Sequence, residues 1–256
     1  MLSRAIVRPP GPTFAKGLTS VQLGVPDLGR ALEQHGAYCA ALRQCGLTLT
    51  WLEPDEQYPD STFLEDTAVI TERGAILTRP GAATRIGEVA GIRELLQQFY
   101  SELHSIDAPG TIDGGDVCEA DNEFFIGISQ RTNEAGARQL AELLKSFRYS
   151  SRFVDIRGVK DILHLKSGLG FPGDNHLVAI EALADREEFS HYDLVRVNTG
   201  EEYAANCVRV NNWVLVASGY PAFEEMLRGL GYQTIALEMT EFQKMDGGLS
   251  CLSLRF

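Results

Sequence analysis

A chain of 256 residues with 44% hydrophobic content and 25 glycines is long enough to bury one large core and too apolar to remain disordered, so residues 1–256 read as a single domain. A formal net charge of −12 argues against nonspecific attraction to nucleic acid or to an anionic membrane and favours a cationic small molecule as partner. Five scattered cysteines, none at zinc-ligand spacing, with no signal-peptide apolar region and no membrane-length run, imply a reduced cytoplasmic protein with no metal centre.

In chain order, a strand is expected at residues 4–8 and an amphipathic helix at 28–42. A hairpin follows at 67–71 and 75–79, then a helix at 87–100. The second hairpin, 116–119 and 124–129, turns through Ala-Asp-Asn-Glu and leads to a helix at 132–147 that Asn133 is placed to cap. A third hairpin, 168–171 and 176–180, turns through Pro-Gly-Asp-Asn. A fourth, 206–210 and 213–217, turns through Asn-Asn and precedes a helix at 221–230 that opens on Pro221, a residue suited to a first helical turn. A last strand is expected at 249–254. The turns recur at intervals of about 40 to 50 residues, the spacing of repeats that bury their faces on their neighbours. The fold class is therefore α/β in a propeller-like arrangement, with the two terminal strands completing a fifth unit.

Four segments carry polar residues at comparable places in these repeats: 60–66 (Asp-Ser-Thr-Phe-Leu-Glu-Asp), 110–116 (Gly-Thr-Ile-Asp-Gly-Gly-Asp), 162–167 (Ile-Leu-His-Leu-Lys-Ser) and Cys251. From its own segment His164 reads first as a histidine satisfied by a nearby hydrogen bond, and second as a proton-transfer group. Asp113 reads as a turn residue, or as the group that orients a histidine while Gly114 and Gly115 let backbone approach a ligand. The same Asp-Gly-Gly recurs at 246–248, just before Cys251. Glu65 and Asp66 are rim charges or a pair of carboxylates facing a ligand. Cys251 by itself reads as a buried inert thiol, since free cysteine is among the most buried residue types. A nucleophile must ionise, and acidic neighbours oppose that unless a histidinium or a cationic substrate offsets them.

Together these segments resemble the guanidine-modifying enzymes, or penteins, and within them the bacterial dimethylarginine dimethylaminohydrolases. The resemblance runs through almost the whole chain: Gly-Leu-Thr-Ser at 17–20, Phe-Leu-Glu-Asp at 63–66, Thr-Arg-Pro-Gly at 78–81, Ala-Pro-Gly-Thr at 108–111, Leu-His-Leu-Lys at 163–166, Tyr-Ala-Ala-Asn-Cys at 203–207 and Gly-Gly-Leu-Ser-Cys at 247–251. It implies a five-bladed α/β propeller of pseudosymmetric ββαβ units around a central active site. It further implies Cys251 as nucleophile, His164 as general acid and base, and Asp113 as the acidic third member. Glu65 and Asp66 fall at positions that grip the guanidinium and hold the site together, and Phe63 is a further substrate-binding position. Asp60 and the main chain of Leu18 and Met245 fall at the α-amino pocket, and Arg85 and Arg131 at the α-carboxylate.

No cofactor is implied, and the expected partner is a methylated arginine, in a monomer or a homodimer. Two rival functions are a hydrolase of another guanidine, such as unmethylated arginine, and a non-catalytic methylarginine-binding protein. The chain has no room for the inserted helical domain usual in arginine deiminases. A thiol peptidase is a third reading, weakened by the acidic surroundings expected for the thiol.

Overall fold

A computed structural model describes residues 1–256 and contains five sheets of three strands. In every sheet the central strand pairs antiparallel on one side and parallel on the other. A hairpin supplies the antiparallel pair in four of the sheets, and the parallel strand needs a longer return. The chain clusters into two compact units, Glu65–Lys166 and the pair of segments Met1–Leu64 and Ser167–Phe256.

The Glu65–Lys166 unit holds two sheets. One is Ala68–Thr71, Gly74–Leu77 and Leu103–Ser105; the other is Val117–Ala120, Glu123–Ile128 and Ser150–Asp155. The helix Glu134–Ser146 begins where Asn133 accepts a hydrogen bond from the Gly136 amide at 2.8 Å. It buries Ala137, Leu140 and Leu144, a spacing that lays one stripe against the core containing Ile76, Ile112, Phe124 and Ile126. Each buried leucine is worth about 2–3 kcal/mol and the cap about 1 kcal/mol, so packing rather than capping holds this helix.

The other unit has three sheets. Leu169–Gly173, His176–Ala179 and Asp193–Arg196 form the first, and Val208–Val210, Trp213–Ala217 and Gln233–Leu237 the second. In the third, Arg4–Val7 lies between Thr48–Trp51, to which it is parallel, and Ser253–Arg255, to which it is antiparallel. The two ends of the chain thus share a sheet. Its core gathers Phe14, Tyr38, Leu42, Phe63, Leu215, Phe242 and Leu252, with Leu28–Gln44 capped by the Asp27 carboxylate at the Arg30 amide.

The four expected hairpins are present, and the turns of the last three hold Asp121, Asp174, Asn175 and Asn211 at φ of 52° to 63°. Asparagine and aspartate tolerate this left-handed region best among residues with a Cβ. Two expectations need correction. The strand expected at 249–254 begins only at Ser253, because Ser250–Leu252 forms a 3-10 turn. The helix expected at 87–100 is Val89–Leu96, with a 3-10 segment Ala83–Glu88 leading into it. No helix is long and apolar enough to cross a membrane.

Candidate active site

Six of the expected residues, Glu65, Asp66, Arg85, Asp113, Arg131 and His164, belong to the Glu65–Lys166 unit. His164 precedes the 3-10 turn Leu165–Ser167 and is 6% exposed. Its Nε2 lies 3.0 Å from Oδ2 of the fully buried Asp113, whose Oδ1 accepts from the Gly81 amide at 2.7 Å. Asp113 is therefore held at both oxygens, one of them by the imidazole. The Gly114-Gly115 pair that follows it is a packing necessity. A Cβ on Gly114 would stand 2.0 Å from the Glu65 carbonyl oxygen, and one on Gly115 would stand 2.6 Å from His164 Nδ1. These glycines admit Glu65 and the imidazole.

Asp66 accepts from the Gly115 amide at 2.9 Å and from Arg85 Nη1 at 2.5 Å. Arg85 is 5% exposed and also makes a two-point ion pair with Glu88, Nε to Oε1 at 3.0 Å and Nη2 to Oε2 at 2.9 Å. Burial alone would push the Asp66 carboxyl up, but His164, Arg85 and the Gly115 amide together hold it down, at about 2. Burial likewise opposes charge on His164, yet Asp66, the Asp113 hydrogen bond and Asp116 raise it to about 9. At neutral pH the cluster thus contains an imidazolium and an ionised Asp66. Glu65, 4% exposed, accepts from Lys166 Nζ at 2.5 Å. The main chain of Arg131 passes so close to Gly81 that a Cβ there would sit 2.1 Å from the Arg131 carbonyl oxygen, which leaves glycine as the residue that fits.

The ligand-type atoms of Asp66, Asp113 and His164 lie within 4.8 Å of one another. That spacing is within reach of a cation, but the Arg85 guanidinium already bonded to Asp66 repels a metal ion, and His164 itself is charged. The set is an acid–base cluster.

Leu18, Asp60, Phe63, Met245 and Cys251 belong to the other unit. Cys39, Cys45, Cys118 and Cys207 are buried, and Cys251 alone is partly exposed. Burial pushes the thiols of Cys39 and Cys118 up to about 12 and that of Cys45 to about 11. Such thiols are inert, and Cys251 is left as the candidate nucleophile. It sits in the turn Ser250–Leu252, with the Gly248 amide directed at its sulfur at 3.5 Å. The turn is fastened by Asn206, which accepts from the Ser250 amide at 2.9 Å and donates to Ser250 Oγ at 3.0 Å. A Cβ on Gly248 would meet that asparagine at 2.5 Å, and one on Gly247 would meet the Phe63 ring at 2.3 Å. Tyr203 donates to the Gly247 carbonyl at 2.8 Å.

Asp60 accepts from the Leu18 amide with both oxygens, at 3.0 and 3.2 Å. Leu18 is 41% exposed, whereas Met245 is buried. Phe63 is buried among Phe14 and Phe242 at centroid distances of 6.0 and 6.3 Å. Asp246, at φ 57°, accepts from the Ser20 amide at 2.5 Å, so the second Asp-Gly-Gly anchors the exposed segment after Leu18.

Sequence reasoning assigned no role to Glu88, Asp116, Lys166 or Asn206. Lys166 and Asn206 lie within motifs that were read for their neighbours. Asp116 is the last residue of the 110–116 segment, and a second aspartate three residues after Asp113 was the available signal.

The sequence model of a family described as N,N dimethylarginine dimethylhydrolase, eukaryotic, matches residues 27–190. The N(G),N(G)-dimethylarginine dimethylaminohydrolase of Pseudomonas aeruginosa is 43% identical, with both chains covered completely. The protein of the same name from Streptomyces coelicolor is 34% identical over 98% of this chain and 96% of its own. Among solved structures, a cysteine-to-serine mutant of the Pseudomonas aeruginosa enzyme complexed with citrulline superimposes with a TM-score of 0.97 at 42% identity, covering both chains fully.

Proposed function

Because this chain belongs to the dimethylarginine dimethylaminohydrolase family, we propose that it hydrolyses Nω-methylated arginines, asymmetric dimethylarginine and monomethylarginine, to citrulline and dimethylamine or methylamine. The observation that carries this reading is the buried cluster around His164. It gathers five carboxyl groups, Glu65, Asp66, Glu88, Asp113 and Asp116, against Arg85, Lys166 and the imidazolium. Excess negative charge out of water suits a permanently protonated guanidinium, and it disfavours a neutral amide.

In this reading Cys251 is the nucleophile. A guanidinium is resonance-stabilised, so its carbon resists water and yields to a soft, strong nucleophile. Asp66 has two oxygens with about four acceptor positions; two are taken by Gly115 and Arg85, and the rest can receive guanidinium N–H groups. The thiolate adds to the guanidinium carbon, and the tetrahedral adduct collapses as the His164 imidazolium gives its proton to the departing amine. The C–N bond breaks and a covalent S-alkylthiouronium remains. Neutral His164 then takes a proton from water, hydroxide adds to the same carbon, and collapse expels the thiolate with formation of citrulline. Asp113 keeps the imidazole oriented through both steps. Asp60, Leu18 and Met245 receive the α-amino group in this scheme, and Arg131 with Arg85 faces the α-carboxylate. The Arg85 guanidinium already holds Asp66 and Glu88, so its contribution to the carboxylate is chiefly one of field. None of the five cysteines is in a disulfide, which suits a cytoplasmic setting.

Rapid acid quench of the protein with monomethylarginine, followed by mass spectrometry of the peptide containing Cys251, is expected to show a thiouronium adduct and equal amounts of citrulline and amine. Ammonia released from arginine at a comparable rate would instead favour the hydrolase of unmethylated arginine.

The close fit at Gly115 gives a second expectation. In Gly115→Ala the new methyl displaces the imidazole, and a misplacement of about 1 Å is worth about 100-fold in rate. The loss should appear in kcat more than in KM. Gly158→Ala, where no atom lies within 4 Å of the added carbon, is the control, and equal kcat in the two variants would contradict the packing argument.

A further inference from the structure

Asp116 is fully buried and, though counted in the charge of the cluster, takes no step in the reaction above. Its Oδ1 accepts from the Leu165 amide at 2.9 Å, the residue next to His164, and its Oδ2 accepts from the Ser129 hydroxyl at 2.6 Å. Ser129 Oγ in turn accepts from the Arg131 amide at 2.9 Å and the Thr132 amide at 3.0 Å. The circuit closes through Thr132 Oγ1, which accepts from the Asp113 amide at 3.1 Å, and through Asp113 to the His164 ring. One strand gives way to make room: Gly127 lies inside Glu123–Ile128, and a Cβ there would stand 3.0 Å from both Asp116 Oδ1 and Leu165 Cβ. A glycine within a strand weakens it, and here the space admits a carboxylate.

The donors to that carboxylate, the Leu165 amide and the hydroxyls of Ser129 and Thr132, are neutral. A buried carboxylate is a costly way to accept from neutral donors when an asparagine or a serine would also serve, so its charge calls for a separate explanation. The negative charges that raise the imidazole are those of Asp66, Asp113 and Asp116, so Asp116 adds a third to the same field.

Resting on the reading of His164 as acid and base, we propose that Asp116 is a positioning residue, which ties the His164 main chain to the Arg131 turn and supplies negative charge to the imidazolium. Burial pushes the Asp116 carboxyl up to about 6, against the pull of His164 and its hydrogen-bond donors. It is ionised at neutral pH, when His164 is protonated.

The test uses the full-length protein with Asp116→Asn, which keeps an oxygen for the Leu165 amide and removes the charge. The His164 midpoint, followed by NMR of the labelled imidazole without substrate, is expected to fall from about 9 toward the ordinary histidine value. The alkaline limb of kcat/KM should move with it. Ser129→Ala keeps the charge and cuts the tie to Arg131, so it is expected to raise KM about fivefold, more than it lowers kcat, with the histidine midpoint in place. A purely structural Asp116 would lower the melting temperature in D116N and leave the His164 midpoint unmoved, and that result overturns the proposal. If D116N does not fold, S129A decides, an unchanged KM overturning the tie to the Arg131 turn. The NMR titration needs no turnover, so a protein inactive on methylarginine would refute the proposed function while leaving the effect of Asp116 on His164 measurable.

Discussion

Cys251→Ser is expected to abolish citrulline formation while methylarginine still binds. Loss of a nucleophile that acts as a unit with its acid and base costs on the order of a millionfold in kcat, because a serine hydroxyl lacks the soft, easily ionised character that attack on a guanidinium requires. Binding survives because the substitution leaves the turn intact. The main chain on either side is fixed by Asn206 at Ser250 and by Tyr203 at Gly247, and the carboxylates expected to receive the guanidinium are untouched. Calorimetric titration of the mutant with asymmetric dimethylarginine should give a dissociation constant within about tenfold of the KM of the wild-type protein, a margin of about 1.4 kcal/mol. A mutant that turns over at the wild-type rate would remove Cys251 from the chemistry altogether. Wild-type protein that binds with no turnover would make the chain a methylarginine-binding protein.

Three of the hairpins were legible because their turns advertise themselves: Asp, Asn and Gly supply the left-handed φ values that a tight connection needs. The third strand of each sheet was not. Leu103–Ser105 and Thr48–Trp51 are three and four residues long, no hairpin turn joins them to their partners, and parallel pairing to a distant strand leaves no local mark. At the C-terminus, Leu249, Leu252 and Leu254 are all buried, and the alternation of a strand over 249–254 accounts for only the last two. The spacing of three between Leu249 and Leu252 belongs to a helical turn, which the structure shows there, and that turn places Cys251 on its partly exposed side. Within the site, residues whose chemistry is intrinsic, a thiol or an imidazole, could be nominated from sequence. Residues whose value is relational could not. Asp116, Glu88, Lys166 and Asn206 matter through partners between 3 and 101 residues away, and apart from the spacing of Asp116 from Asp113 nothing in their own segments distinguishes them from surface charge or turn polarity. The glycines mark close approach, and the protein atoms that approach them are those of Glu65, His164, Phe63 and Asn206.

The pH profile should carry the signature of His164. Its midpoint in the folded protein, about 9, lies above the ordinary histidine value of about 6.5, so the imidazolium is the native form at neutral pH. The stabilisation it draws from Asp66 and Asp113 is fully present below about 6.5 and is lost as pH rises through about 9. Activity follows the same proton. The acid that expels the amine disappears on the alkaline side, and kcat/KM is expected to fall with a limb near pH 9. Asp66, held down at about 2, keeps its charge across that range and leaves the limb to the histidine. His164→Asn should lower kcat/KM by about 10²- to 10⁴-fold, the usual contribution of a positioned acid and base, and should abolish the limb. In Asp66→Asn the largest charge raising the imidazole is gone, so the limb that remains should move down toward the ordinary histidine range. Rates measured from pH 6 to 10.5 at saturating and low monomethylarginine test both. A limb near pH 9 that persists unchanged in His164→Asn would assign the titration to another group and take the acid–base role away from His164.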